Sequence, residues 1–318
     1  MRYLLRRLAE SLVTVVLILT VTFFLFRVIP GDPARILIRG PGITREVIEH
    51  YERLFGLDKP LIVQFGLFVR ETFRGNLGIS FAYKTPVLEL LVERMGNTLI
   101  LLVPATALSI LLGLFLGVLA AWKRGRPLDF ALQVFSLGFW SIPTFWLGMI
   151  LIMLFGRTFS TGGMITPGVE HGSLWSYLAD LGKHMFLPAL TLVLIMHGQY
   201  FMIMRSQLAE ELTEPYTRTA KAKGLRAGRI LRAHVVPNAM LPITTLIALN
   251  LATLVAGFIT IETVFSWPGI GKLVYRAILM RDYPVLQGIL IFLSLSIVLA
   301  NFLADILYTV LDPRIRYR

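Results

Sequence analysis

Few residues in this chain could do chemistry, and their placement restricts what that chemistry is. The 318 residues include no cysteine, so thiol nucleophiles, disulfides and thiolate-held metal clusters are excluded. The five histidines, His50, His171, His184, His197 and His234, are scattered without ligand spacing, and no metal site is expected. Pro268-Gly-Ile-Gly-Lys272 superficially looks like a phosphate-binding loop. The true pattern places Gly six residues before the Lys and Ser or Thr after it, whereas Ser266 and Leu273 stand there. A turn is the expected structure. Ionisable groups inside the long apolar runs are few, chiefly Arg27, His197, Glu262 and Asp305 beside Glu10 at the start of the first, and all but His197 lie near the end of a run. An ionisable group within a membrane span is a functional candidate, so His197 is a candidate for lining a path. A histidine satisfied within a helix bundle is the more expected reading.

The elements that must position these groups are membrane helices. The chain is 56% hydrophobic and 16% charged, against about 45–50% and about 25% for soluble domains. Mean hydropathy is +0.71. A soluble enzyme is excluded. Six spans are expected: Leu8–Ile29, Leu99–Trp122, Phe130–Phe155, Met185–Met204, Leu241–Phe265 and Val285–Thr309. Each has the length that a helix needs to cross about 30 Å of hydrocarbon, and only helices or closed barrels satisfy their backbone there. The fold class is therefore all-α and integral to a membrane.

Gly113 and Gly117 lie four apart in the second span, with Ala121 continuing the small face, and are expected to let another helix approach closely. The net charge of +12 sits between the spans rather than in one patch, which argues for membrane topology over nucleic acid. With both termini in the cytoplasm, inside segments carry a net +9 and outside segments +2. The expected organisation is a cytoplasmic tail and first span over 1–30, an outer helical segment over 31–98, a core of five spans over 99–309 and a tail over 310–318. In the outer segment, Thr44 caps one amphipathic helix and a second begins near Pro60.

The 205–240 loop, inside by this topology, holds seven Lys and Arg against three Glu. Tyr216, Thr217, Arg218, Thr219, Ala220, Lys221, Ala222, Lys223, Gly224 and Leu225 read as a short helix ended by glycine. Tyr216, Thr219, Ala220 and Lys223 fall on one helical side. Small residues beside a glycine break can seat in a partner's groove, while the basic side chains stay solvated. A basic loop lying on anionic lipid is the alternative.

Ala220, Gly224 and Pro237 have the spacing of the cytoplasmic signature of permease subunits of binding-protein-dependent ABC importers, although Arg218 and Thr219 stand where that signature has Glu and Ala. The run Tyr216-Thr-Arg-Thr-Ala-Lys-Ala-Lys-Gly-Leu225 resembles the variant in the dipeptide, oligopeptide and nickel branch. Arg6-Arg7-Leu8, Pro30-Gly-Asp-Pro33, Leu57-Asp-Lys-Pro60, Gly75-Asn-Leu-Gly-Ile-Ser80 and Ser141-Ile-Pro-Thr-Phe-Trp146 are similar too. So are the runs Glu262–Gly271 and Asp305–Arg314, and together these stretches cover nearly the whole chain in order. The resemblance implies the six-span type-I importer fold, in the cell inner membrane. It also implies a sister permease forming a heterodimer, two cytoplasmic ATPases holding ATP and Mg, and an external solute-binding protein. This chain would hold no cofactor and catalyse nothing. Residues 216–225 with Pro237 would couple to an ATPase. Glu262, Phe265, Pro268, Gly269 and Gly271 would form an outer gate or meet the binding protein. Peptides are the expected cargo, with nickel chelates, glutathione or sugars as alternatives within the branch. An ion-driven carrier is the rival class, and it would show broken helices and mid-membrane ionisable pairs. A membrane scaffold would leave the 216–237 spacing without purpose.

Overall fold

The computed structural model describes residues 2–28, 59–253 and 259–311. The expected Thr44-capped helix, the Pro30–Pro33 and Leu57-Asp58 stretches and the Asp312–Arg314 tail lie outside the described residues. So do the side chains of Arg27 and Asp305. The described residues are helical apart from connecting turns and one isolated bridge, Ile79 to Pro86. They divide into two compact units, residues 1–96 with 273–318, and residues 97–272.

In the first unit, α1 (Arg2–Val28) packs along α12 (Tyr283–Leu311), and α2 (Leu61–Phe73) reaches α1. Pro60 stands just before α2, as the sequence predicts. Of the expected apolar face, Phe65 and Phe68 meet Phe23 at 5.3 and 5.6 Å between ring centroids, while Leu61 is exposed. Asp282, buried, accepts from Ser80 Oγ at 2.6 Å and from the Phe81 and Ala82 amides at 3.1 and 3.0 Å. The Val285 amide adds a fourth bond at 3.4 Å, and together these donors pin the turn that leads into α3.

The second unit holds most of α3 (Val87–Trp122) with α4 (Pro127–Ser141), α5 (Thr144–Phe155) and α6 (Leu174–Glu211). It continues through α7 (Pro215–Ala222), α8 (Ala227–Ile230), a π-turn (Leu231–Val235), α9 (Val236–Thr253) and α10 (Ile259–Val264), up to the first turn of α11 (Ile270–Met280). Its core joins Leu101, Leu102, Leu147, Leu151, Leu187 and Leu192 to Phe265 and Trp267. Gly113 and Gly117 put the α3 backbone directly on α6. A Cβ at Gly113 would lie 2.6 Å from the His197 carbonyl, and one at Gly117 would lie 2.8 Å from Met204 Cβ. Close backbone approach of this kind substitutes dispersion for the hydrophobic drive that lipid removes.

Two expectations about the spans change. The third does not run straight: α4 and α5 meet at 103° around Ile142 and Pro143. Proline has no N–H to continue a helix, and it forces its predecessor out of the helical region. Ile142 accordingly sits at φ −77°, ψ 133°. Helices α3 and α6, at 36 and 38 residues, far overrun the spans expected at Leu99–Trp122 and Met185–Met204. Polar first turns do not end a helix whose backbone bonds are already propagating, and Ser173 caps α6 by accepting from the Ser176 amide at 3.2 Å. Among the described residues four helices are long and apolar enough to cross a membrane, or five when the bent pair counts as one. The fifth expected span falls on α9 and α10, between which residues 254–258 are not described.

Candidate docking segment and the polar groups of the spans

The 205–240 segment begins as α6 leaves the spans. Arg205 donates Nε–H and Nη2–H to the two carboxylate oxygens of Asp129 at 2.7 and 2.8 Å, a bidentate pair in which Asp129 is buried. Gln133 and the Gly125 amide add bonds of 3.0 Å each. The pair fastens the start of α4 to the end of α6. Its members are 76 residues apart, so no local pattern in the sequence announces it.

After α6, Glu214 turns the chain and Pro215 opens α7, where a missing N–H costs nothing. Thr217 is fully buried and donates to the Glu211 carbonyl at 2.9 Å. The Tyr216 hydroxyl donates to the Glu211 carboxylate. Burial raises the Tyr216 phenol above its ordinary range, so it remains a donor at any physiological pH. Ala220 is buried among Met204, Leu208, Ile230, Val235, Ala239 and Ile243. The side turned to the body is therefore Tyr216, Thr217 and Ala220. Thr219 and Lys223, expected beside them, are exposed. Ala220 already fills its own chain's core, which leaves Ala222 and Gly224 as the small outward residues.

Gly224 ends α7 at φ +77°, where an L side chain is strained. Its amide donates to the Lys221 carbonyl at 2.9 Å, and the Leu225 amide to the Ala220 carbonyl at 3.3 Å. This is the Schellman arrangement, and Leu225 folds back onto the same apolar cluster. Arg218, Lys221, Lys223, Arg226, Arg229 and Arg232 all remain exposed. Pro237 is exposed at the second position of α9, just after the π-turn. The result is a short, internally anchored helix presenting a cationic face with small residues in it.

The other candidate groups are interior. His197 is fully buried, its Nδ1 is 3.1 Å from the Val193 carbonyl, and its ring centroid is 5.6 Å from that of Phe135. The structure thus seats it among packed helices rather than on an open face. Glu262 is also fully buried, and its Oε1 accepts from Thr98 Oγ1 at 2.7 Å. Its Oε2 accepts from the Lys272 amide at 3.1 Å. A Cβ on Gly269 would overlap that carboxylate, and one on Gly271 would lie 2.6 Å from Ile259 Cα. Trp267 Nε1–H donates to the Asn97 carbonyl at 2.8 Å, Asn97 Nδ2–H to the Pro268 carbonyl at 3.0 Å, and the Ile270 amide to Thr98 Oγ1 at 2.9 Å. Phe265 lies in the core. The Glu262–Gly271 run is thus a buried knot tied to the segment Asn97-Thr98, with no carboxylate edge left for an external protein. Sequence reasoning missed Asp129, Arg205, Thr98, Asn97 and Asp282 as partners, because each pairs over more than 70 residues.

A profile described as "Binding-protein-dependent transport system inner membrane component" matches residues 113–317. The N-terminal region of the same systems' membrane components matches residues 1–102. The chain belongs to this family. The permease is 39% identical over 315 residues to a Sinorhizobium fredii protein named "Probable peptide ABC transporter permease protein", with 99% of each chain covered. It is 38% identical over 338 aligned residues to the dipeptide transport system permease protein of Escherichia coli (strain K12), covering 100% of this chain and 99% of that one. The resemblance seen in the sequence motifs and the all-helical membrane fold are both borne out. As an inner-membrane component of a binding-protein-dependent transport system, the chain works with an ATPase and an external binding protein.

Proposed function

We propose that this permease forms half of the translocation path of an ATP-driven importer of di- or oligopeptides. A sister permease supplies the other half as a heterodimer, and two ATPases stand on the cytoplasmic side. The observation that carries this reading is the 216–225 helix. Tyr216, Thr217 and Ala220 hold it to its own body, while Arg218, Lys221, Lys223 and Gly224 face outward for a partner. ATP-driven closure of the ATPases then moves the helix as a rigid piece together with the end of α6, and the spans alternate their opening. Both termini and the 205–240 segment are cytoplasmic. ATP and Mg belong to the partners, and this chain contributes no catalytic group. Peptide as cargo follows from the names of the full-length relatives. The Glu262–Gly271 knot fits a rigid element beside an outer gate better than a contact surface, since its polar groups are already satisfied. The broken span at Pro143 removes one distinction from an ion-driven carrier, so the weight rests on the family match and the docking helix.

Replacing Gly224 with Glu puts a side chain at φ +77° into open space, at about 1–2 kcal/mol of local strain, and adds a negative charge to a cationic face. Uptake of peptide in reconstituted vesicles should fall at least tenfold while ATP hydrolysis persists uncoupled. Uptake at the wild-type rate would overturn the docking role. Gentle extraction should recover a second multi-span chain and ATPases with phosphate-binding loops. Recovery of this chain alone would favour a carrier that works without them.

A further inference from the structure

Two side-chain amides stand inside the apolar helices of the second unit, one of them held by a phenol. Asn250 on α9 donates Nδ2–H to the Tyr200 hydroxyl of α6 at 2.9 Å, and Gln199 is the residue before Tyr200 on α6. Tyr200 is fully buried, whereas Gln199 and Asn250 are each partly exposed. Gln199 carries two N–H donors and a carbonyl acceptor. Hydrocarbon offers no partner to such a group, so a half-exposed glutamine within a span faces water or polar substrate rather than lipid. His197 is buried two positions before Gln199, and Arg205 is spent on Asp129.

We infer that Gln199, with Asn250 held by the neighbouring Tyr200, is a polar contact point of the translocation path for the backbone amides of a passing peptide. This rests on the proposed function. A side-chain amide matches a peptide bond in donor and acceptor whatever the residue sequence. Being uncharged, it lets the peptide leave as readily as it arrives. Fixing the Asn250 amide on a buried phenol removes rotamer freedom that each passing peptide would otherwise have to freeze.

The chain's lack of cysteine makes the test direct. The assembled importer, in vesicles with its binding protein, is prepared with Gln199→Cys, Asn250→Cys or, as a lipid-facing control, Leu17→Cys on exposed α1. A charged methanethiosulfonate reagent should modify the two path positions at least tenfold faster than the control, and turnover with peptide and ATP should slow that modification severalfold. Gln199→Met, of similar length without the amide, should lower peptide uptake about tenfold with basal ATP hydrolysis retained. Modification no faster than at Leu17→Cys, or rapid modification indifferent to transported peptide, would overturn the inference. Uptake is measured on the cysteine-free parent in the same vesicles. A parent that takes up no peptide counts against the proposed function, while an active parent with unreactive Gln199→Cys counts against this inference alone.

Discussion

Arg205 and Asp129 show how much a single pair carries in a chain with few charges. Two parallel N–H···O bonds require the planar guanidinium fork, which lysine lacks. Arg205→Ala leaves a buried carboxylate with only Gln133 and one amide, and should destabilise the permease by about 3 kcal/mol. Arg205→Lys should recover no more than about half of that, read as thermal unfolding in detergent. Loss in the alanine variant no larger than in surface controls would show that the pair is not structural. Gly113 makes a complementary prediction from shape alone. Its missing Cβ is what permits 2.6 Å approach to the His197 carbonyl, so Gly113→Ala should cost about 1–3 kcal/mol and Gly113→Leu should block assembly. Gly138, with nothing within 4 Å, should tolerate alanine in the same assay.

At the scale of elements, the docking helix has eight residues, too few to be stable by itself in water. Its order comes from Thr217 and Tyr216 bonding back to Glu211, from Ala220 in the apolar cluster, and from the Schellman turn at Gly224. Thr217→Val is nearly isosteric but drops the hydroxyl, leaving the Glu211 carbonyl one donor short. The double variant Tyr216→Phe, Thr217→Val should therefore loosen α7 while leaving the spans intact. Amide hydrogen exchange across 215–223 should accelerate at least tenfold, and peptide-stimulated ATP hydrolysis should fall with it. Unchanged exchange would mean that packing at Ala220 suffices. The bend at Ile142 and Pro143 belongs to this scale too: local backbone chemistry at one dipeptide divides what apolar composition alone reads as a single span.

At the scale of the whole molecule, the permease has the apolar surface of a protein that lives among lipid and partners. Val13, Leu17 and Val21 on α1, and Phe130 and Met153 on α4 and α5, are exposed without any soluble purpose. An importer powered by ATP in partner chains predicts a clear energetic signature. Peptide uptake by whole cells should persist when an uncoupler collapses the ion gradient, provided ATP is maintained, and should stop when ATP is depleted. The reverse pattern would point to an ion-driven carrier.

Composition, the apolar runs and loop charge were legible without a structure because they follow from solvation, which acts on each stretch independently. The docking helix was equally legible, since proline at its start and glycine at its end are local requirements of helix termini. Which of its faces turns inward was not: Tyr216 and Ala220 were placed correctly beside each other, but Thr219 and Lys223 face out because the cluster of Ile230, Val235 and Ala239 lies on the Thr217 side. The same holds for His197, read from the sequence as a path candidate or a satisfied bundle histidine, whose buried ring packs near Phe135 with Nδ1 3.1 Å from the Val193 carbonyl. It holds again for Glu262, which the sequence offers as an outer gate or binding-protein contact and which the structure buries, bonded to Thr98 and the Lys272 amide. The sequence by itself determined that this chain crosses a membrane, where its basic loop lies and where its short helix begins and ends. Only the tertiary structure decided which polar groups are spent on one another, because burial and pairing depend on segments brought together from more than 70 residues apart.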